Sequence, residues 1–232
     1  MKHSIITRNF FKVSSLALVM AVSLVACDDD EVVPVENKAQ IGVLNLMSDG
    51  STLDAHLGDA KINTAAITGS NFAYITADAG QNRLSLFESG QTDTLLSQSY
   101  DFKAGESFSV IALGTNDNAT LVMASDDLRA PAGGKSKIRF ANFIDGNNEL
   151  ELWVEDGEEA LQEGTAYKGV RSFIEVEPST SLSLQVKATG SDDVLAELAD
   201  ATVESGKIYT LYVTNQMVEG EQVPVLRIAQ NK

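Results

Sequence analysis

Residues 41–59 (IGVLNLMSDGSTLDAHLGD) lie over residues 138–156 (IRFANFIDGNNELELWVED) at a constant offset of 97, without a gap. Ile41 and Ile138, Asn45 and Asn142, Leu53 and Leu150, and Asp59 and Asp156 coincide, and Val43, Leu46, Ala55 and Leu57 meet the apolar Phe140, Phe143, Leu152 and Val154. With small slips the register continues: Tyr74-Ile75 answers Phe173-Ile174, Leu84 and Leu86 answer Leu182 and Leu184, Leu95-Leu96 answers Val194-Leu195, and residues 105–108 answer residues 206–209. Self-similarity at a fixed spacing constrains a fold more than composition does, because each copy must bury the same kind of face. Two tandem copies are expected, at 39–127 and 136–232, joined by residues 128–135, whose Pro131, Gly133 and Gly134 interrupt either kind of regular element.

Each copy reads as strand throughout. Apolar and polar residues alternate in residues 53–57, 150–154, 182–186 and 208–213, the period of two that leaves one face apolar. Asp49-Gly50, Ser89-Gly90, Ala104-Gly105, Asp145-Gly146, Asp156-Gly157, Thr189-Gly190 and Ser205-Gly206 separate the runs with residues that tolerate positive φ. About seven short strands per copy at this spacing predict an all-β protein of two tandem antiparallel, immunoglobulin-like β-sandwich domains. Only residues 191–201 fit a helical turn or two equally well.

The sequence opens differently. Lys2, Arg8 and Lys12 precede residues 13–26, an uncharged run rich in Leu, Val and Ala, which is the order of a secretory signal. The run is shorter than the ~20 residues a membrane-spanning helix needs. It ends in Leu24, Val25, Ala26 and Cys27, the one cysteine of the chain, and these four residues resemble the bacterial lipobox. The resemblance implies cleavage after Ala26, a signal peptide over 1–26, diacylglycerol on the Cys27 thiol, and acylation of the new amino terminus. More than one acyl chain holds a protein stably on a membrane, at ~0.8 kcal/mol per buried methylene. A disulfide at Cys27 lacks a second cysteine to pair with.

Residues 27–38 read as a solvated acidic linker: Asp28, Asp29, Asp30 and Glu31 stand together and Pro34 follows. The acidic run resembles two sorting signals of opposite meaning, inner-membrane retention in enterobacterial lipoproteins and surface export in Bacteroidota-type lipoproteins. Several acids in a row fit the second better. Consecutive acids on an extended chain point in alternate directions, which is a poor calcium loop.

Charge excludes further classes. Removing Lys2, Arg8 and Lys12 from the 17 basic residues leaves 14 against 33 acidic, a net charge near −19 for the processed chain, which repels nucleic-acid phosphates. At 44% hydrophobic residues the chain has material for real cores, and stability must come from those cores.

The opening apolar-x-Asn strands (Val43 to Asn45, Phe140 to Asn142), the Leu-x-Leu-x-Val strand and the late Gly-Lys-x-Tyr-Thr at 206–210 resemble the domain-of-unknown-function family 4397, found as tandem β-sandwich repeats in secreted and lipid-anchored bacterial proteins. The first copy departs from it at Gly-Glu-Ser-Phe-Ser (105–109), and neither has the proline that usually follows the early Asn. The resemblance implies no reaction and no catalytic residue.

Catalytic signatures are missing. His56 is the one histidine after residue 26, so a histidine metal cluster is impossible, and its outward strand position predicts a solvated side chain. No nucleophile elbow, Ser-x-x-Lys, P-loop or dinucleotide fingerprint occurs. The pairs Asp126-Asp127, Glu158-Glu159 and Asp192-Asp193 read as solvated loops. Asp145, Asn147 and Glu149 place oxygens around one turn, a candidate calcium loop that a plain hairpin explains as well. Trp153, the sole tryptophan, lies opposite Leu150, Leu152 and Val154 on its strand; an outward tryptophan anchors sugars or proteins, unless a neighbouring strand or the other copy covers it.

These features predict a non-catalytic binding or structural module, lipid-anchored and extracytoplasmic, at the outer membrane or cell surface. Its partners are the membrane through the anchor and a glycan or an envelope protein, with no cofactor and no nucleic acid. The alternative is a carboxylate-only enzyme, or an accessory subunit of envelope polysaccharide processing.

Overall fold

The structure, a computed structural model, describes residues 37–146 and 148–232. Cys27, the rest of the lipobox and the linker up to residue 36 lie outside the described residues, as does Asn147. All regular structure among the described residues is strand, apart from the 3₁₀ turn Asn116–Asn118, and no helix there is long and apolar enough to cross a membrane.

The first half contains β1 (Lys38–Met47), β2 (Leu53–Leu57), β3 (Ala60–Lys61), β4 (Ala73–Asp78), β5 (Gly80–Glu88), β6 (Thr94–Phe102), β7 (Ser107–Gly114) and β8 (Thr120–Asp126). They form two sheets, ordered β4-β1-β7-β8 and β3-β2-β5-β6. The second half contains β9 (Ser136–Asn142), β10 (Leu150–Val154), β11 (Ala160–Thr165), β12 (Gly169–Val170), β13 (Ile174–Val176), β14 (Ser179–Ala188), β15 (Val194–Val203), β16 (Ile208–Val218) and β17 (Glu221–Gln230). These again form two sheets, β12-β9-β16-β17, with β13 also on β9, and β11-β10-β14-β15. Pairing is antiparallel except for β1 with β7 and β9 with β16. Each of those strands returns from the opposite sheet in the direction of the strand it joins. Of residues 191–201, those from Val194 onward fold as strand within β15, where Ala196 and Ala201 face the core.

The four sheets stack as layers around three apolar cores. Ile41, Val43, Leu53, Leu84, Leu86, Phe102 and Val110 fill the first, between the two sheets of the first half. Ile138, Phe140, Leu152, Leu184, Val186, Leu211 and Val213 fill the matching core of the second. Between the halves, Leu44, Phe72, Ile111, Leu113 and Val122 meet Ala141, Phe143, Tyr212 and Ala229. The sheets containing β1 and β9 are thus inner layers, apolar on both faces, which is why their strands carry runs such as Val43-Leu44 instead of a strict alternation.

The early asparagines close the ends of their strands. Asn45 donates through Nδ2 to the carbonyls of Ser51 and Ile67 and accepts the Met47 N–H; Asn142 donates to the Thr165 carbonyl and accepts the Ile144 N–H. Gly105 and Gly206 take matching positive φ of 77° and 79° before β7 and β16, and their N–H groups donate to the carbonyls of Lys38 and Lys135.

Candidate functional site

Two places gather polar chemistry: the seam between the inner sheets and the outer face of β10 and β14. At the seam Arg139, on β9, is fully buried, and its Nη1 donates to Asp126 Oδ1 of β8 at 2.6 Å, with both side chains 0% exposed. Its Nη2 donates to Ser109 Oγ at 2.7 Å and its Nε to Thr210 Oγ1 at 2.9 Å. Thr210 Oγ1 donates to Asn231 Oδ1, the Asn231 amide N–H donates to the Tyr74 hydroxyl, and Tyr74 donates to Asp126. Phe173 lies under the guanidinium, 4.3 Å from its carbon to the ring centre. Burial and the Asp126 charge hold the Tyr74 hydroxyl far above its ordinary range, so it is a neutral donor.

The two halves contribute matched positions to this cluster. Gly42 stands where Arg139 stands in the other half, since β1 pairs Gly42 with Ser109 as β9 pairs Arg139 with Thr210. Asp126 lies across from Ser107, and Asn231 occupies the same place beside Ile208. A Cβ on Gly42 would lie 2.6 Å from the Tyr74 ring, so the missing side chain makes room for that tyrosine. Every buried polar side-chain atom of the cluster has a hydrogen-bond partner, and the bonds from β9, β16 and the segment after β17 to β4, β7 and β8 make it a clamp between the halves.

Asp126 and Asp127 are therefore not the solvated loop pair expected. Asp126 ends β8 inside the seam; Asp127 accepts from Arg129 and Lys137, which hold its carboxyl well below the usual carboxylate range. Glu158, Glu159, Asp192 and Asp193 are exposed. The Arg139 cluster escaped sequence reasoning because an arginine between Ile138 and Phe140 looks outward on a half-buried strand.

Trp153 is half-buried on the outer face of β10, with its partners on the same face. Its Nε1 donates to Glu151 at 3.0 Å, the Lys187 ammonium lies 4.7 Å over its ring, and Gln185 is its cross-strand neighbour on β14. The side chain remains partly exposed. The indole, an acid, an amide and an ammonium stand together here, with Lys187 over the ring, and can offer a ligand aromatic contact and hydrogen bonds.

His56, at the matching place on β2, is half-buried and packed on Phe87, with ring centres 4.6 Å apart, instead of standing free in water. Beside it Asp54 accepts from Lys61, Asn63 and Ser89, and the Lys61 contact lowers its carboxyl to about 2. A general acid needs the opposite shift. Asp145 and Glu149 are exposed on either side of Asn147, and among the described residues no group of three or more His, Cys, Asp or Glu converges on a metal position. Asp49, in the matching loop, is occupied by the Ser51 N–H and hydroxyl and the Asn116 N–H.

The fold and site define an all-β protein of stacked sheets that offers a patch of aromatic and polar side chains and a polar clamp. Residues 39–153 match the domain of unknown function DUF4397. No curated protein matches the chain. Among solved structures it is similar to the Bacillus anthracis TIE protein, at 14% identity and TM-score 0.26, over 78% of this chain and 34% of that one. It spans about a third of that protein's length. It is similar also to CBMbc, family CBM26, from Eubacterium rectale Amy13K, solved with maltoheptaose, at 12% identity and TM-score 0.27, covering 81% and 95%. A third is a streptococcal virulence factor described for alpha-glucan binding, at 13% identity and TM-score 0.24, covering 84% and 97%.

Proposed function

We propose that the protein is a lipid-anchored, extracytoplasmic module of the bacterial cell envelope that binds without catalysis, a pair of repeated sandwiches clamped into one platform that presents the Trp153 patch to a glycan. The observation that carries this reading is the patch itself: a half-exposed tryptophan with Glu151, Gln185 and Lys187 beside it on a sheet backed by a packed core. Stacking supplies the apolar part of sugar recognition and the flanking acid, amide and ammonium supply hydrogen bonds to hydroxyls. The lipobox and acidic linker support the anchor.

Because Trp153 is the one tryptophan, its emission reports the patch directly. Titration of the processed protein with neutral envelope oligosaccharides is expected to shift that emission, and Trp153→Ala is expected to abolish binding seen by calorimetry. A panel of such glycans that leaves the emission unchanged overturns the glycan reading. For the anchor, labelled palmitate is expected in the full-length chain and not in Cys27→Ala; equal labelling of the two sinks it.

A further inference from the structure

The hairpin of β16 and β17 outruns its sheet. β16 is paired to β9 only from Ile208 to Val213, while its pairing with β17 continues to Val218 opposite Glu221. Residues 214–225 are therefore a two-stranded ribbon closed by Glu219 and Gly220, both at positive φ (53° and 90°), the turn that matches strand twist. None of these residues belongs to any of the three cores. The corresponding connection in the first half folds back instead: the 3₁₀ turn Asn116–Asn118 is tied to the body by Asp49, which accepts the Asn116 N–H at 2.9 Å.

A ribbon without a third strand or a packed face is marginal in water, yet this one carries apolar side chains at its end. Seven large hydrophobic residues stand exposed among the described residues, and three of them, Met217, Val218 and Val223, are here, Met217 at 61% exposure. The same stretch contains Glu219 and Glu221 and no basic residue before Arg227. An apolar finger with an acidic tip is thus held away from the body, at the far end of β17 from Lys232.

We propose that this ribbon is a docking finger for a partner protein that offers an apolar groove bordered by Lys or Arg. Charge decides the occupant. A second copy of this chain has a net charge of −16, and an anionic lipid surface repels Glu219 and Glu221 in the same way. Lys38 and Lys232 line one groove at the near end of β17, and the ten residues of β17 set the tip of the ribbon about 30 Å from it.

The test places a photo-crosslinking phenylalanine analogue at Met217, and separately at Val223, in the full-length anchored protein in its own cells, with the exposed Thr202 on β15 as control. A discrete adduct with one other protein is expected from Met217 and Val223 and not from Thr202. Reconstituted with that protein, the processed chain is expected to lose at least tenfold in affinity on Met217→Ser/Val223→Ser and severalfold on Glu219→Lys/Glu221→Lys, with an unchanged melting temperature. The proposal is overturned by an absence of adducts, by adducts to lipid or to a second copy of the chain, or by a protein adduct whose reconstituted binding ignores these substitutions. Cys27→Ala is fractionated in parallel. If it still sediments with membranes the anchor reading fails, while the crosslinking result stands or falls by itself.

Discussion

Removing the guanidinium of Arg139 leaves Asp126 charged, fully shielded and without a cation. An uncompensated buried charge of this kind costs about 3–5 kcal/mol, so Arg139→Ala is expected to lower stability by that amount in urea unfolding. The double change Arg139→Met/Asp126→Leu removes both charges and is expected to recover most of the loss, since a well-packed apolar pair can match an ion pair. A double variant as unstable as the single one refutes the ion-pair account. Titration adds two further effects. Asp54 is depressed to about 2 by Lys61, against an ordinary aspartate near 4, so its contribution is complete above pH about 4 and is lost as pH falls toward 2. Burial pushes Tyr100 up to about 12, so the folded state holds its proton more tightly than the unfolded chain, and stability falls as pH rises from about 10 to 12. Asp54→Asn is expected to flatten the acid limb of a stability–pH curve and Tyr100→Phe the alkaline limb.

At the scale of single elements, β1 and β9 do the same job with different residues. On β1 a glycine makes room for the Tyr74 ring; on β9 an arginine fills the matching space and Phe173 lies under it. Gly42→Ala drives a methyl into that ring, and the repacking is expected to cost about 1–3 kcal/mol, with the Tyr74 hydroxyl pulled off Asp126. A variant that melts with the parent shows that the ring moves freely, contrary to the packing seen. On the outer sheet the balance differs, because Trp153 and Lys187 are half-exposed and touch no core. Trp153→Ala is expected to change stability by less than about 1 kcal/mol, as surface changes usually do. A larger loss would mark Trp153 as a structural residue.

For the molecule as a whole, the middle core and the clamp couple the two halves. A scanning calorimeter is expected to record one transition for the parent, because neither half can expose Leu44, Ile111, Phe143 and Tyr212 without cost. Arg139→Ala weakens that coupling, and its transition is expected to broaden or divide. Two separate transitions in the parent would show that the halves unfold independently. The strongly acidic surface adds that high salt should raise the melting temperature, by screening like charges.

The period of two in residues 53–57 and 150–154 already specified β2 and β10 as half-buried strands, since alternation is a property of one face meeting one core. The glycines at 105 and 206 marked their turns for the same local reason, the cheapness of positive φ without a Cβ. Both asparagines of the opening strands were visible, though not what they hold. What the sequence could not decide was the fate of the second face of β1, β7, β9 and β16. Arg139 and Asp126 are 13 positions apart and become partners only when two inner sheets stack, so nothing in the sequence singled out Arg139, and Asp126 read as part of a solvated acidic pair. A signal existed in the unbroken apolar runs of β1 and β7, where alternation fails because both faces are buried. The chain alone thus determined strand and turn, which depend on neighbours a few residues away. Only the tertiary structure decided which polar side chains are buried, because burial depends on what another layer brings to the same point.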